Sequence, residues 1–74
     1  MSSVGSAPLQ ELGRRIRARR KKKRWTQSEM AAYLGLSRGH ISDLERGRRE
    51  IGLLTLQIIA RGLDTTMAKL LKGL

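Results

Sequence analysis

The 74-residue chain makes one domain at most, and with no cysteine it has neither a disulfide framework nor a thiolate metal site to reinforce a modest core. Sixteen Lys and Arg against six Asp and Glu give a formal charge of +10, which favours polyanions: nucleic acid, an anionic membrane surface or an acidic protein. No apolar run approaches the ~20 residues of a membrane span, and the opening MSSVGSAPLQ lacks the basic start and apolar stretch of a secretory signal, so a cytoplasmic protein is expected.

Residues 1–7, rich in Ser and Gly, read as a disordered leader. Pro8 suits a first helical position, and Leu9, Leu12 and Ile16 recur at three and four along a first helix reaching about Lys23. Residues 14–24, RRIRARRKKKR, hold nine cations in eleven positions. Such a run is ordinarily a solvated face, with a nonspecific phosphate contribution as its functional reading. After Trp25, Thr26-Gln27-Ser28-Glu29 has the capping-box pattern, in which the Thr hydroxyl and the Glu carboxylate each satisfy a backbone amide. Met30, Ala31 and Leu34 form a short apolar face, and Gly35 stops that helix because it enters the left-handed region without steric cost.

Ser37 caps a third helix with Ile41 and Leu44 inward, ended by Gly47. A fourth, roughly Leu53–Arg61, turns Leu53, Leu56, Ile59 and Ala60 inward and breaks at Gly62-Leu63-Asp64. Thr65 or Thr66 caps a last helix carrying Met67, Leu70 and Leu71. Strand-like alternation and internal repeats are absent from the sequence, so residues 8–74 are expected to form one all-α, compact bundle of five short helices. The single histidine, His40, leaves little for catalysis. Ser42, His40 and Asp43 are neighbours on one short helix and cannot converge on a substrate, so no enzyme, metal site or cofactor is expected.

Two short helices joined by a Gly-centred turn within a basic surface make a helix-turn-helix. The segment TQSEMAAYLGLSRGHISDLERGRR resembles the lambda-repressor/Cro-type (XRE) family. The matching positions are Thr26-Gln27, Ala31, Gly35-Leu36-Ser37, Ile41-Ser42 and Glu45-Arg46-Gly47, and the likeness extends over about residues 9–71. Within the family, SRGHISDLERGRR looks most like the small controllers that accompany restriction–modification systems. The resemblance implies a lambda-repressor-like DNA-binding domain with its helix-turn-helix at helices two and three. Residues 37–46 would be the recognition helix, its N-terminal half in the major groove.

On that footing Arg38 reads a base, since a guanidinium matches guanine O6 and N7. Gly39 lets backbone approach the DNA, and Asp43 either accepts from a cytosine amino group or holds Arg38 or Arg46 in place, the second being favoured. Ser37, His40 and Ser42 donate to phosphate or sugar oxygens, Gln27 sits at a helix N-terminus suited to a phosphate, and Arg46, Arg48 and Arg49 clamp the flanking backbone. The resemblance also pairs Arg20 with Glu45, locking the first helix to the recognition helix. Arg19 and Arg24 depart from the pattern, standing where the family has an aliphatic core residue and a glycine, and a slightly altered end to the first helix is expected.

Leu54 and Ile58 are apolar where the family tends to be polar. Four apart, they share a face and with Leu74 are read as a homodimer interface. The function implied is a bacterial or phage transcriptional regulator that binds double-stranded DNA as a homodimer on a near-palindromic operator, without a small-molecule effector or membrane partner. An antitoxin-type module that neutralises a partner toxin is the alternative, and a membrane-surface peptide built on the basic helix a distant third.

Overall fold

The computed structural model describes residues 6–74, and among them are five helices and no strand: α1 (Ala7–Lys22), α2 (Gln27–Leu34), α3 (Arg38–Glu45), α4 (Leu53–Gly62) and α5 (Met67–Leu71). The expected leader lies outside the described residues over positions 1–5. Its boundary is corrected at the other end: Ser6 is the N-cap and Ala7 the first helical residue, which makes Pro8 the second. A proline there still costs nothing, because the first turn has no intrahelical partner for its missing amide.

Three of the helix starts, those of α2, α3 and α5, carry a side-chain cap. Thr26 Oγ1 accepts from the Glu29 amide at 3.0 Å, and the Thr26 amide donates to Glu29 Oε1 at 2.8 Å, closing the capping box of α2. Ser37 Oγ accepts from the His40 amide at 3.0 Å. At α5 the cap is Thr66, whose Oγ1 accepts from the Lys69 amide at 3.1 Å. Helix ends share a left-handed closure. Gly35 ends α2 at φ 69°, whereas α1 and α4 close through the non-glycine residues Arg24 (φ 61°) and Asp64 (φ 56°). At α1 the Trp25 amide donates back to Arg20 O at 3.2 Å and the Arg24 amide to Lys21 O at 2.9 Å, a closure that satisfies two orphan carbonyls. A side chain in this region costs about 1–2 kcal/mol. Lys23 Nζ and Asp64 Oδ2, 2.6 Å apart, join the two strained turns.

The core takes one fully buried side chain from each helix: Ile16, Met30, Ile41, Ile59 and Leu70. Each contributes about 1.5–3 kcal/mol by leaving water. Leu53 does not join them, contrary to the inward reading of helix four: it is 68% exposed. It keeps the helical spacing to Leu56, but at the start of α4 it faces an open groove instead of a neighbouring helix. Arg19, at its aliphatic-type position, is half-buried and outside the core cluster.

α5 is short and is held by an arginine from the opposite end of the chain. Arg15 Nη1 donates to Leu70 O at 2.9 Å and Lys72 O at 2.7 Å, capping the C-terminal carbonyls of α5. Its Nε meets Glu11 Oε2 at 2.9 Å, and Arg14 shares the same carboxylate. Hydrogen bonds from Arg14 and then Arg15 hold the Glu11 carboxyl down to about 2. No helix among the described residues is long and apolar enough to cross a membrane.

α1 and α3 cross at backbone contact. A Cβ on Gly13 would lie 2.6 Å from Glu45 O and closer still to Leu44 O, so only glycine fits. Gly47, left-handed at φ +68°, likewise meets Gln10 Cα at 2.8 Å from its ideal Cβ position. Gly13→Ala therefore pushes α3 away from α1. A loss of about 1–3 kcal/mol is expected in urea unfolding, seen as a fall in Tm of about 4–8 °C per kcal/mol for a domain of this size. An unchanged Tm would show that the crossing yields freely.

Candidate nucleic-acid interface

The position of α3 is set from beneath by a buried ion pair. Arg20 Nε donates to Glu45 Oε2 at 2.6 Å and Arg20 Nη2 to Glu45 Oε1 at 3.0 Å, a two-pronged contact. The remaining arm, Nη1, donates to the Trp25 carbonyl at 2.8 Å, and Gln27 Nε2 donates to Glu45 Oε1 at 3.1 Å. The two side chains are only 9% and 2% exposed. Charges withdrawn this far from water are tolerable because their hydrogen-bonding capacity is met from both sides. One cluster thus ties α1, the start of α2 and the end of α3 together.

That anchoring, with Ile41 and Leu44 buried beside Glu45, leaves the opposite side of α3 free. Ser37, Arg38 and Gly39 are exposed together at its N-terminal end. His40, Ser42 and Asp43 are half-buried along the flank, and Arg46, Arg48 and Arg49 are exposed where the chain leaves the helix. Asp43 makes no ion pair with Arg38 or Arg46 among the described residues. Its carboxylate is left able to accept from another donor. Around Gly39 an added Cβ would meet nothing within 4 Å, so packing in the free protein does not demand glycine there. Yet glycine inside a helix costs about 1 kcal/mol relative to alanine.

Gln27 is half-buried at the first position of α2 with its amide nitrogen committed to Glu45. It sits in a polar crevice of about 330 Å³ with Arg20, Glu45, Arg46 and Arg17. Arg17 was not singled out from the sequence. The signal was its place three residues before Arg20, which sets both on one side of α1. Among the described residues no three or more His, Cys, Asp or Glu side chains are grouped to hold a metal ion.

Leu54 is 74% and Ile58 44% exposed, one turn apart on α4. Leu74 is also exposed, but it lines a separate groove of about 530 Å³ with Leu9, Leu12, Ile51, Leu53 and Leu71. The chain's one tryptophan and one tyrosine stack: the Trp25 and Tyr33 ring centroids lie 4.9 Å apart, and Lys23 Nζ stands 4.7 Å over the Trp25 ring.

The helix-turn-helix family model matches residues 16–70, which include α2, α3 and the anchoring cluster. The chain belongs to this helix-turn-helix family. Among relatives of this helix-turn-helix chain, control protein C.SmaI of Serratia marcescens is 37% identical over 60 residues, covering 81% of this chain and 71% of that protein. The solved restriction–modification controller protein C.AhdI from Aeromonas hydrophila superposes with a TM-score of 0.83 at 32% identity, over 88% of this chain and 98% of that one. SinR, a master regulator for biofilm formation solved in complex with DNA, superposes with a TM-score of 0.78 at 29% identity, over 82% and 98% of the two chains. Against the first three curated relatives the chain spans 28%, 36% and 56% of their length. The motif and fold are those of the lambda-repressor/Cro type, as the residues 26–49 imply.

Glu45→Ala leaves the Arg20 guanidinium buried without its counter-charge. It is expected to cost about 3–5 kcal/mol in urea unfolding. A loss under 1 kcal/mol would mean that water reaches the cluster and that α3 is held by its apolar side alone.

Proposed function

We propose that the protein is a cytoplasmic, sequence-specific regulator of transcription that binds double-stranded DNA through α3. The observation that carries this is the polarity of α3. Its inner side is fixed by Ile41, Leu44 and the Arg20–Glu45 pair, while Ser37, Arg38 and Gly39 stand exposed at the end that a helix-turn-helix presents to the major groove. Arg38 is the base reader, through bidentate donation to guanine. Asp43, free of Arg38 and Arg46, accepts from a cytosine amino group. Gly39 serves the approach of backbone to the groove, the use that accounts for a glycine the free fold does not need. Ser37, His40, Ser42, Gln27, Arg46, Arg48 and Arg49 hold the sugar–phosphate backbone and set register without reading sequence. No catalytic step and no cofactor belong to this function.

Selection of bound sites from random duplex DNA tests it. An enriched motif is expected. Arg38→Ala should abolish the preference at one base pair, losing about 1–3 kcal/mol of discrimination. Arg48→Ala should weaken all sequences alike. Gly39→Ala should raise thermal stability by up to about 1 kcal/mol while lowering affinity for the selected site. Sites without a motif, or a preference indifferent to Arg38→Ala, would refute the proposal.

A homodimer completes it. Two copies joined through the α4 face of Leu54 and Ile58 would set two α3 helices ~34 Å apart, one helical turn of duplex. Leu74, placed on the neighbouring groove, would border that interface. Leu54→Glu with Ile58→Glu should shift sedimentation from dimer to monomer and weaken binding to a full near-palindrome while leaving a half-site unaffected. A variant that still sediments as a dimer would place the interface elsewhere.

A further inference from the structure

We infer that Arg17 grips a DNA phosphate, so that the exposed edge of α1 is a sequence-independent arm of the interface beside the recognition helix. This rests on the DNA-binding function proposed above. The cations of α1 and its C-terminal turn sort by partner. Arg14 and Arg15 are taken by Glu11, Arg20 by Glu45 and Lys23 by Asp64. Arg17, Arg19, Lys21, Lys22 and Arg24 have no carboxylate within 4.0 Å among the described residues, and of these Arg17 and Lys21 are exposed one turn apart. Spaced by four, they are neighbours on one side of the helix.

Arg17 is also the one of the two that reaches the polar crevice, where it shares the walls with Gln27, Arg46 and the buried pair. Arg20 and Glu45 cancel, and Gln27 is neutral, so the uncompensated charge of the crevice is Arg17 and Arg46 together. Two guanidinium groups bordering a space of about 330 Å³ repel each other unless an anion lies between them. The planar fork of a guanidinium matches two oxygens of a phosphate, the anion that a duplex presents along its backbone. The walls come from α1, the start of α2 and the C-terminal end of α3. A phosphate of the DNA backbone is therefore the occupant the crevice suits.

Anisotropy titrations of the selected duplex and of a scrambled one, each over a range of salt, test the assignment. Arg17→Gln should make the slope of log affinity against log salt shallower by about 0.9, the release expected for one phosphate. It should weaken both duplexes by the same factor and leave their ratio unchanged. Between about 50 and 200 mM salt the variant should then lose roughly 3–4-fold less affinity than the wild type. Arg17→Lys should keep the wild-type slope. Lys69→Gln, which removes an equal charge from exposed α5, should leave it unchanged as well. The inference is overturned if Arg17→Gln keeps the wild-type slope, or if Lys69→Gln flattens it equally, since net charge alone would then be at work. Wild-type protein that binds neither duplex would overturn the DNA-binding function itself, an outcome told apart by the lack of any slope to compare.

Discussion

Everything in this small molecule is arranged around a pair of opposite charges taken out of water. With one fully buried apolar side chain per helix, packing alone would leave the angle between α1 and α3 loosely determined. Hydrophobic contact is non-directional. The Arg20 guanidinium is the reverse: planar, with its donors fixed in a fork, and it spends them on Glu45 of α3 and on the Trp25 carbonyl ahead of α2. Gln27 then reaches the same carboxylate from the first turn of α2. The glycine crossing at Gly13 and Gly47 brings the helices close enough for this geometry, and the ion pair fixes what closeness alone would not.

How far the amino-acid sequence foretold this depends on the range of the interactions involved. Features governed within a few residues were legible: the capping box at Thr26–Glu29, the Ser37 cap, and the Gly35 and Gly47 stops all form where the sequence places them. The left-handed Arg24 was legible too, because the family pattern marks that position for glycine. Misreadings came where a second element decides the outcome. Leu53 keeps the spacing of an inward residue, but a helical stripe is buried only if something lies across its end. Arg15 looks like one member of a basic run, and its use as a cap for α5 depends on a chain segment more than fifty residues away. Arg17 became distinguishable from its basic neighbours only through the polar crevice it lines with Gln27 and Arg46.

The basic first helix accordingly has separate duties on separate sides. Leu12 and Ile16 enter the core, Arg15 secures α5, and Arg20 secures α3. The acidic residues are few, and four of the six are engaged: Glu11 by two arginines, Glu29 in a capping box, Glu45 in the interior and Asp64 on Lys23. Scarce carboxylates placed in this way neutralise the cations that hold the fold together, and the remaining positive charge is left to face outward. A high net charge that would otherwise work against compactness is in this way partitioned between internal fastening and external attraction.

The cluster beneath α3 has one more effect. Because the same guanidinium binds ahead of α2 and at the end of α3, and the same carboxylate takes Gln27 of α2, the two helices of the motif have no independent hinge with respect to α1. A reading helix mounted so firmly does not tilt to suit a groove that is too narrow or too wide. The accommodation falls to the duplex, whose bending and twisting energies differ between base steps. In the DNA-binding function proposed above, that rigidity would be converted into sensitivity to DNA stiffness, and base pairs that no side chain reaches would enter the selection of a binding site.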